Sequence, residues 1–277
     1  METIDFLPLV KAYPALSKTY GEVSCVAGVE MASEGPRWIR LYPVPFRALD
    51  DTQQFKKYQP TRVEVETHRR DRRPETRRPN RDSIRTVSRQ ISPADGWRRR
   101  RRFVEPLMVR SMCEIQRRQA VDGTSLGVFR PRRILGMEIE PADIRAERIA
   151  IAKAWAAQGS LLDRLDEIEQ GHQLAALEAI PWTFRLRYEC DDPRCGTHLQ
   201  SIIDWEIAEF YRRVRRGRRW RESIRRRWLA DVCGADRDTA LFVGNMHQRP
   251  RNFLILGFWW PPRQPDQMTF SDLDYAP

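Results

Sequence analysis

The stretch 69–81, RRDRRPETRRPNR, holds no apolar side chain apart from Pro74 and Pro79. A segment of that composition cannot enter a hydrophobic core. Any core must be assembled from what lies on either side, and the stretch itself reads as an exposed, proline-stiffened loop.

It is the centre of a wider concentration. Arginine outnumbers lysine by 44 to 5, and residues 62–102 hold fifteen arginines against six acids, while residues 205–229 hold ten against three. These two segments carry +9 and +7 of a net charge of +11, so the rest of the chain is acidic, at −5. Drift from lysine to arginine in a GC-rich genome would account for the ratio but not for the partition. A planar guanidinium fork matches phosphate and stacks on bases, so a segregated arginine surface points to a polyanionic partner. The first segment offers Arg69, Arg70, Arg72, Arg73, Arg77 and Arg78 on the loop, then Arg98, Arg99, Arg100, Arg101 and Arg102 in succession. In the second, Arg212, Arg213, Arg216, Arg219, Arg226 and Arg227 project from an amphipathic helix whose apolar stripe packs inward. Side chains at one-turn spacing can follow a phosphate backbone. The expectation is a protein that contacts DNA or RNA through phosphate with weak sequence choice. It would act with protein partners in a larger nucleoprotein complex, such as a bacterial defence or mobile-element machine. An interaction protein with an acidic protein partner is the non-enzymatic alternative.

Periodicity gives the framework. Val23–Met31 and Trp38–Val44 flank a Gly/Pro turn and read as a hairpin. Residues 61–67 (TRVEVET) alternate, placing Val63 and Val65 inward. A helix is expected over 103–119, two short strands over 124–140 broken by Pro131, and an Ala/Leu/Glu-rich helical stretch over 143–177. Residues 183–190 read as a strand, 199–216 as an amphipathic helix, and Gly217 as a break before a second helix carrying Trp220, Ile224 and Trp228. Residues 240–244 and 253–260 read as paired strands. The fold class is α+β: a β-rich basic subdomain (1–140), a helical junction (141–180), and an α+β subdomain (181–277) with a strand-helix-helix-strand-strand order.

Cys190-x4-Cys195-x2-His198 lies in a polar turn and could converge three ligands on a structural zinc ion. A fourth ligand would come from Cys233, His172, His247, Asp191 or Asp204. Five cysteines suit a reducing compartment better than a disulfide framework. The acidic, proline-bearing start is unlike a signal peptide, and no run is apolar enough for a membrane span. A cytoplasmic location is expected, with no membrane partner. The enzymatic alternative is a nuclease drawing on Glu66, His68, His198 and Asp204. Phosphate-binding glycine loops and the hydrolase elbow are absent from the sequence.

Overall fold

The structure is a computed structural model that describes residues 1–17, 20–156 and 177–263. Strands β1 (Glu2–Lys11), β2 (Ala15–Ser17), β3 (Gly21–Ala32), β4 (Gly35–Val44), β5 (Thr61–Thr67), β6 (Thr76–Pro79) and β7 (Arg85–Thr86) make the first sheet. Its order is β1-β3-β4-β6-β5, and β5 pairs back onto β1, so five strands close into a barrel. Closure removes the free edges that an open sheet would present. Phe6, Val26, Leu41, Val63 and Val65 fill the interior, and Phe46 and Phe55 pack with them. The expected hairpin is β3–β4, and Val63 and Val65 point inward as the alternation requires. Gly28 is needed where β1 and β3 cross closely: a Cβ there would lie 2.1 Å from the Leu7 carbonyl oxygen.

The stretch 69–81 is not wholly a loop. Residues 76–79 form β6, parallel to β4 and antiparallel to β5, and close the barrel. Backbone pairing on both sides recruits this strand, which needs no apolar side chain for it. Thr76 is its one buried residue.

After the barrel come α1 (Arg98–Val104), β8 (Met108–Val109), α2 (Met112–Asp122), β9 (Leu126–Phe129), β10 (Pro131–Pro141) and α3 (Arg145–Ala156). Then follow β11 (Trp182–Cys190), β12 (Thr197–Ile202), α4 (Trp205–Val214), α5 (Trp220–Arg225, running into a π-helical turn to Val232), β13 (Ala240–Met246) and β14 (Arg249–Trp259). The second sheet has the order β10-β11-β12-β14-β13-β9-β8. The chain is therefore α+β, with a barrel in its N-terminal part and a helix-bearing mixed sheet after it.

Three expectations change. Sheet membership switches near residue 107 and not at 140, because β8, β9 and β10 pair within the second sheet. The helix expected over 103–119 is two helices: α1 ends at Val104, and Ser111 caps a new start. The helix expected from 199 begins only at Trp205. Residues 197–202 are a strand in which Gln200 and Ile202 face inward while Leu199 is exposed, and Asp204 caps the helix that follows. The break at Gly217 holds, with Ile207 and Tyr211 buried before it and Ile224 and Trp228 after it. Part of the expected junction, including His172, lies outside the described residues.

The two sheets share a core. Leu7, Leu9 and Val29 of the barrel meet Val128, Phe242 and Trp259 of the second sheet. Arg40, 1% exposed on β4, reaches across this seam. Its Nη1 donates to Ser125 Oγ at 2.6 Å and its Nη2 to the Ser125 carbonyl at 2.9 Å. No described helix is long and apolar enough to cross a membrane.

Candidate metal centre and arginine surface

Strands β11 and β12 pair with Tyr188 opposite His198, which brings the end of one strand beside the start of the next. The turn between them is knotted by its own backbone: Asp192 N–H donates to Cys190 O (3.0 Å) and Cys195 N–H to Asp192 O (2.9 Å). Cys190, Cys195 and His198 therefore converge as the sequence spacing suggests. The fourth member is Cys113, in the first turn of α2. Ser111 Oγ accepts from Glu114 N–H at 3.1 Å, and the Glu114 carboxylate accepts from Arg110 N–H at 3.0 Å. This capping arrangement fixes where the helix starts. Met112 and Ile115 bury into the core and aim Cys113 at the knuckle.

The ligand atoms of the four residues all lie within 4.8 Å of one another. Cys190 Sγ is 3.6 Å from Cys113 Sγ and 3.1 Å from Cys195 Sγ. His198 Nε2 lies 3.0 Å from Cys195 Sγ, 3.4 Å from Cys190 Sγ and 3.7 Å from Cys113 Sγ. The cysteines are free thiols. The Tyr188 ring stacks on the His198 imidazole at 5.1 Å and 22°. Arg117 bonds Asp192 at 2.8 Å and Arg110 bonds Asp191 at 3.1 Å, tying α2 and its approach to the knuckle. Burial first, and the other thiols next, push Cys113 up to about 12. Burial raises Cys195 and lowers His198. A nearby cation is what lets crowded thiols ionise together, so the donor set is compatible with a bound metal ion. Among the described residues it is the one group of three or more His, Cys, Asp or Glu side chains spaced for a metal. Of the fourth ligands considered from sequence, Cys233, His247, Asp191 and Asp204 are not in it.

The arginines divide into two sets. Arg100 and Arg101 are buried and unavailable to a partner. Arg100 stacks on Tyr58 and Trp97 and donates to Ile91 O at 2.8 Å. Arg101 pairs with Glu105 (2.6 Å) and Asp238 (3.1 Å). Five basic residues in succession occupy a helix, so two of them must turn toward the protein. Arg73 pairs with Asp71, Arg78 with Glu66, Arg212 with Glu178 and Glu209, Arg219 with Glu222 and Arg227 with Asp231. Arg77 bonds the carbonyls of Pro74 and Thr76. Among the described residues, Arg69, Arg70, Arg72, Arg98, Arg99, Arg102, Arg213, Arg216 and Arg226 are exposed and carry no ion pair.

The loop before β6 is held in place. His68 Nδ1 accepts from the Asp71 N–H (3.0 Å) and the Arg70 N–H (3.3 Å), which leaves its proton on Nε2. Arg73 Nη1 donates to Asn245 O at 2.6 Å, and Asp71 Oδ1 lies 3.2 Å from His247 Nδ1. Residues 69–73 thus sit against the turn joining β13 and β14, where Arg249 and Arg251 are also exposed and without ion pairs. Sequence reasoning passes over these two because neither falls in an arginine-rich run.

The residues considered for a nuclease site do not come together. Glu66 pairs with Arg78 on the barrel surface, His68 latches the loop, and His198 belongs to the cysteine cluster. Asp204 caps α4 and holds Lys57 Nζ at 3.2 Å, completely buried.

Residues 108–274 match the family described as Domain of unknown function (DUF8757), and residues 2–106 match Domain of unknown function (DUF8758). The first match spans more than half of the chain, and the chain belongs to that family. The boundary between the two matches falls where sheet membership changes. No curated protein matches the chain.

Proposed function

We propose that the chain is a nucleic-acid-binding protein that contacts phosphate through arginine and is held in shape by a structural zinc ion. One observation carries the first half. The Arg73–Asn245 and Asp71–His247 contacts merge two sequence-distant groups, Arg69/Arg70/Arg72 and Arg249/Arg251, into one surface of uncompensated guanidinium groups. Such a surface suits the regularly spaced charges of a DNA or RNA backbone. Pairing within the protein withdraws Arg73, Arg100 and Arg101 from phosphate contact, and Arg73 ties the loop to the turn through Asn245. The helical arginines Arg213, Arg216 and Arg226 would form a second, sparser contact. Other protein chains in a larger nucleoprotein complex fit a binding mode with little intrinsic sequence choice.

The zinc reading rests on the donor set. A tetrahedral Cys3His zinc site has ligand–ligand edges of roughly 3.5–3.8 Å, from metal–sulfur and metal–nitrogen distances of about 2.3 and 2.0 Å. Three of the edges given above are of that size, and the two from Cys195, at 3.1 and 3.0 Å, are about half an ångström shorter. All four positions are filled by protein, which is the pattern of a structural site and leaves no open position for catalysis.

Binding of labelled DNA and RNA, followed by fluorescence anisotropy between about 50 and 200 mM salt, tests the reading. Log K should fall by roughly 0.7–0.9 per phosphate contacted. Charge reversal of Arg69, Arg70 and Arg72 together should flatten that slope, and reversal of Arg249 and Arg251 should do the same. Affinity that ignores salt, or survives both reversals, would overturn it.

A further inference from the structure

A cleft of about 720 Å³ opens between the barrel and the second sheet, away from the loop-and-turn surface. Its barrel side carries Lys11 from β1 with Lys56 and Lys57 from the segment before β5. Its other side carries Trp205, Phe210 and Arg213 from α4, then Trp228 and Trp260. Volumes of this order are typical of sites for small organic ligands.

The charges in the cleft do not cancel. Its two lining acids are already engaged. Glu206 pairs with Lys57 at 2.9 Å, and Glu209 accepts from Trp205 Nε1 (2.8 Å) and Arg212 (2.9 Å). Arg227 pairs with Asp231 while its guanidinium lies over Trp260. Lys56 and Arg213 are exposed and carry no ion pair among the described residues. Lys11 is the telling residue. Its ammonium sits 3.9 Å from the centre of the Phe46 ring and 5.5 Å from that of Trp205, and it donates to Phe55 O at 3.2 Å. No carboxylate lies within ion-pair distance of it among the described residues. An ammonium group has three hydrogens to donate, so capacity remains. Burial, and then the neighbouring Lys57, pull it down to about 8, the direction expected of a cation that lacks an anion.

Trp205 is braced by its bond to Glu209, and Trp260 by Trp97 at 5.7 Å. Aromatic side chains therefore line the cleft beside three cations without carboxylate partners. We propose that this cleft binds a nucleotide, with the base against Trp205, Phe210 and Trp260 and the phosphate on Lys11, Lys56 and Arg213. Aromatic faces take any base, so affinity should depend weakly on which base is offered. A free nucleotide and one unit of a single strand present the same chemistry to this cleft. The inference does not rest on the loop-and-turn surface proposed above; of the arginines assigned there to nucleic-acid contact, only Arg213 also lines this cleft.

Tryptophan fluorescence and calorimetric titration of the 277-residue chain test it. The ligands are AMP, CMP, GMP and UMP, adenosine, inorganic phosphate and a short single-stranded oligonucleotide. At least one monophosphate should saturate with Kd below about 1 mM. Adenosine and phosphate, each lacking half of the ligand, should bind roughly tenfold weaker or more. The exposed-residue variant K56E/R213E should weaken monophosphate binding at least tenfold, and K11M should do so as well. Reversal of Arg69, Arg70 and Arg72 should leave it unchanged. Competition by the oligonucleotide would assign the cleft to a strand, and its absence to a free nucleotide. Failure of every monophosphate to saturate, equal affinity for phosphate alone, or indifference to K56E/R213E would each overturn the proposal.

Discussion

Cys113 stands 77 residues before Cys190, with no cysteine or histidine near it in sequence to mark it as a ligand. Three of the four donors were legible because a turn brings them together locally. The fourth depends on tertiary packing of α2. The one available signal was the Ser111-x-x-Glu114 capping pattern, which places Cys113 in a helical first turn. C113S should lower bound zinc from about one equivalent to below about 0.2, measured by elemental analysis, and should lower the melting temperature. C233A should keep the metal, since Cys233 is not in the cluster. A second residue-scale test concerns Asp71. Burial acts to raise its carboxyl, but the bonds from Arg73 outweigh this and hold it down at about 2. The folded value lies below the unfolded value near 3.8, so the stabilisation is complete above about pH 4 and is lost as pH falls toward 2. It amounts to at most ~2 kcal/mol. Urea unfolding at pH 5 and pH 2.5 should therefore show a smaller acid loss in D71N than in the parent protein. Equal losses would remove Asp71 from the account.

At the scale of elements, alternation was readable wherever a strand has one wet and one dry face. Residues 61–67 and 183–190 came through for that reason. Residues 199–202 did not. Their alternation is short, and the helical stripe of Ile203, Ile207 and Tyr211 runs on directly, so period 3.6 absorbed it. Strand β6 was illegible for another reason: its place depends on backbone pairing to β4 and β5 and on no side-chain pattern. The arginine run 98–102 shows what composition hides. On α1 the side chains fan around the helix, so Arg101 turns inward to pair with the part-exposed Glu105 and Asp238 while Arg99 stays in water. Arg101→Ala removes one of Asp238's two arginine partners together with bonds to Gly96 O and Pro262 O, and should cost about 1–3 kcal/mol. Arg99→Ala should change stability by less than about 0.5 kcal/mol. Urea titration of the two variants separates them, and a neutral R101A would mean that the network does not contribute to folding.

For the molecule as a whole, the two family matches divide the chain at residues 106 and 108, yet its physics joins the parts. The barrel's outer face, with Leu7, Leu9 and Val29, is covered by Val128, Phe242 and Trp259 of the second sheet. Arg40 adds a directional tie. Its guanidinium is buried and bonds Ser125, which in turn donates through Oγ to Glu75 at 2.5 Å. A guanidinium in that position is tolerable only with its partners present, because an unpaired buried charge costs several kcal/mol. Separating the halves would strand Arg40 and expose the seam at once. The full chain should therefore unfold in one cooperative transition, with circular dichroism and tryptophan fluorescence coinciding. Residues 1–106 expressed alone should lack a cooperative transition, and co-expression with residues 107–277 should restore one. A barrel fragment that melts cooperatively by itself would show that the seam is an interface between two independent domains. R40A in the intact chain provides the internal check: it should destabilise by about 3–5 kcal/mol, as expected for breaking a buried network by removing one partner. A small loss there, with an unstable fragment, would assign the coupling to the apolar contacts alone.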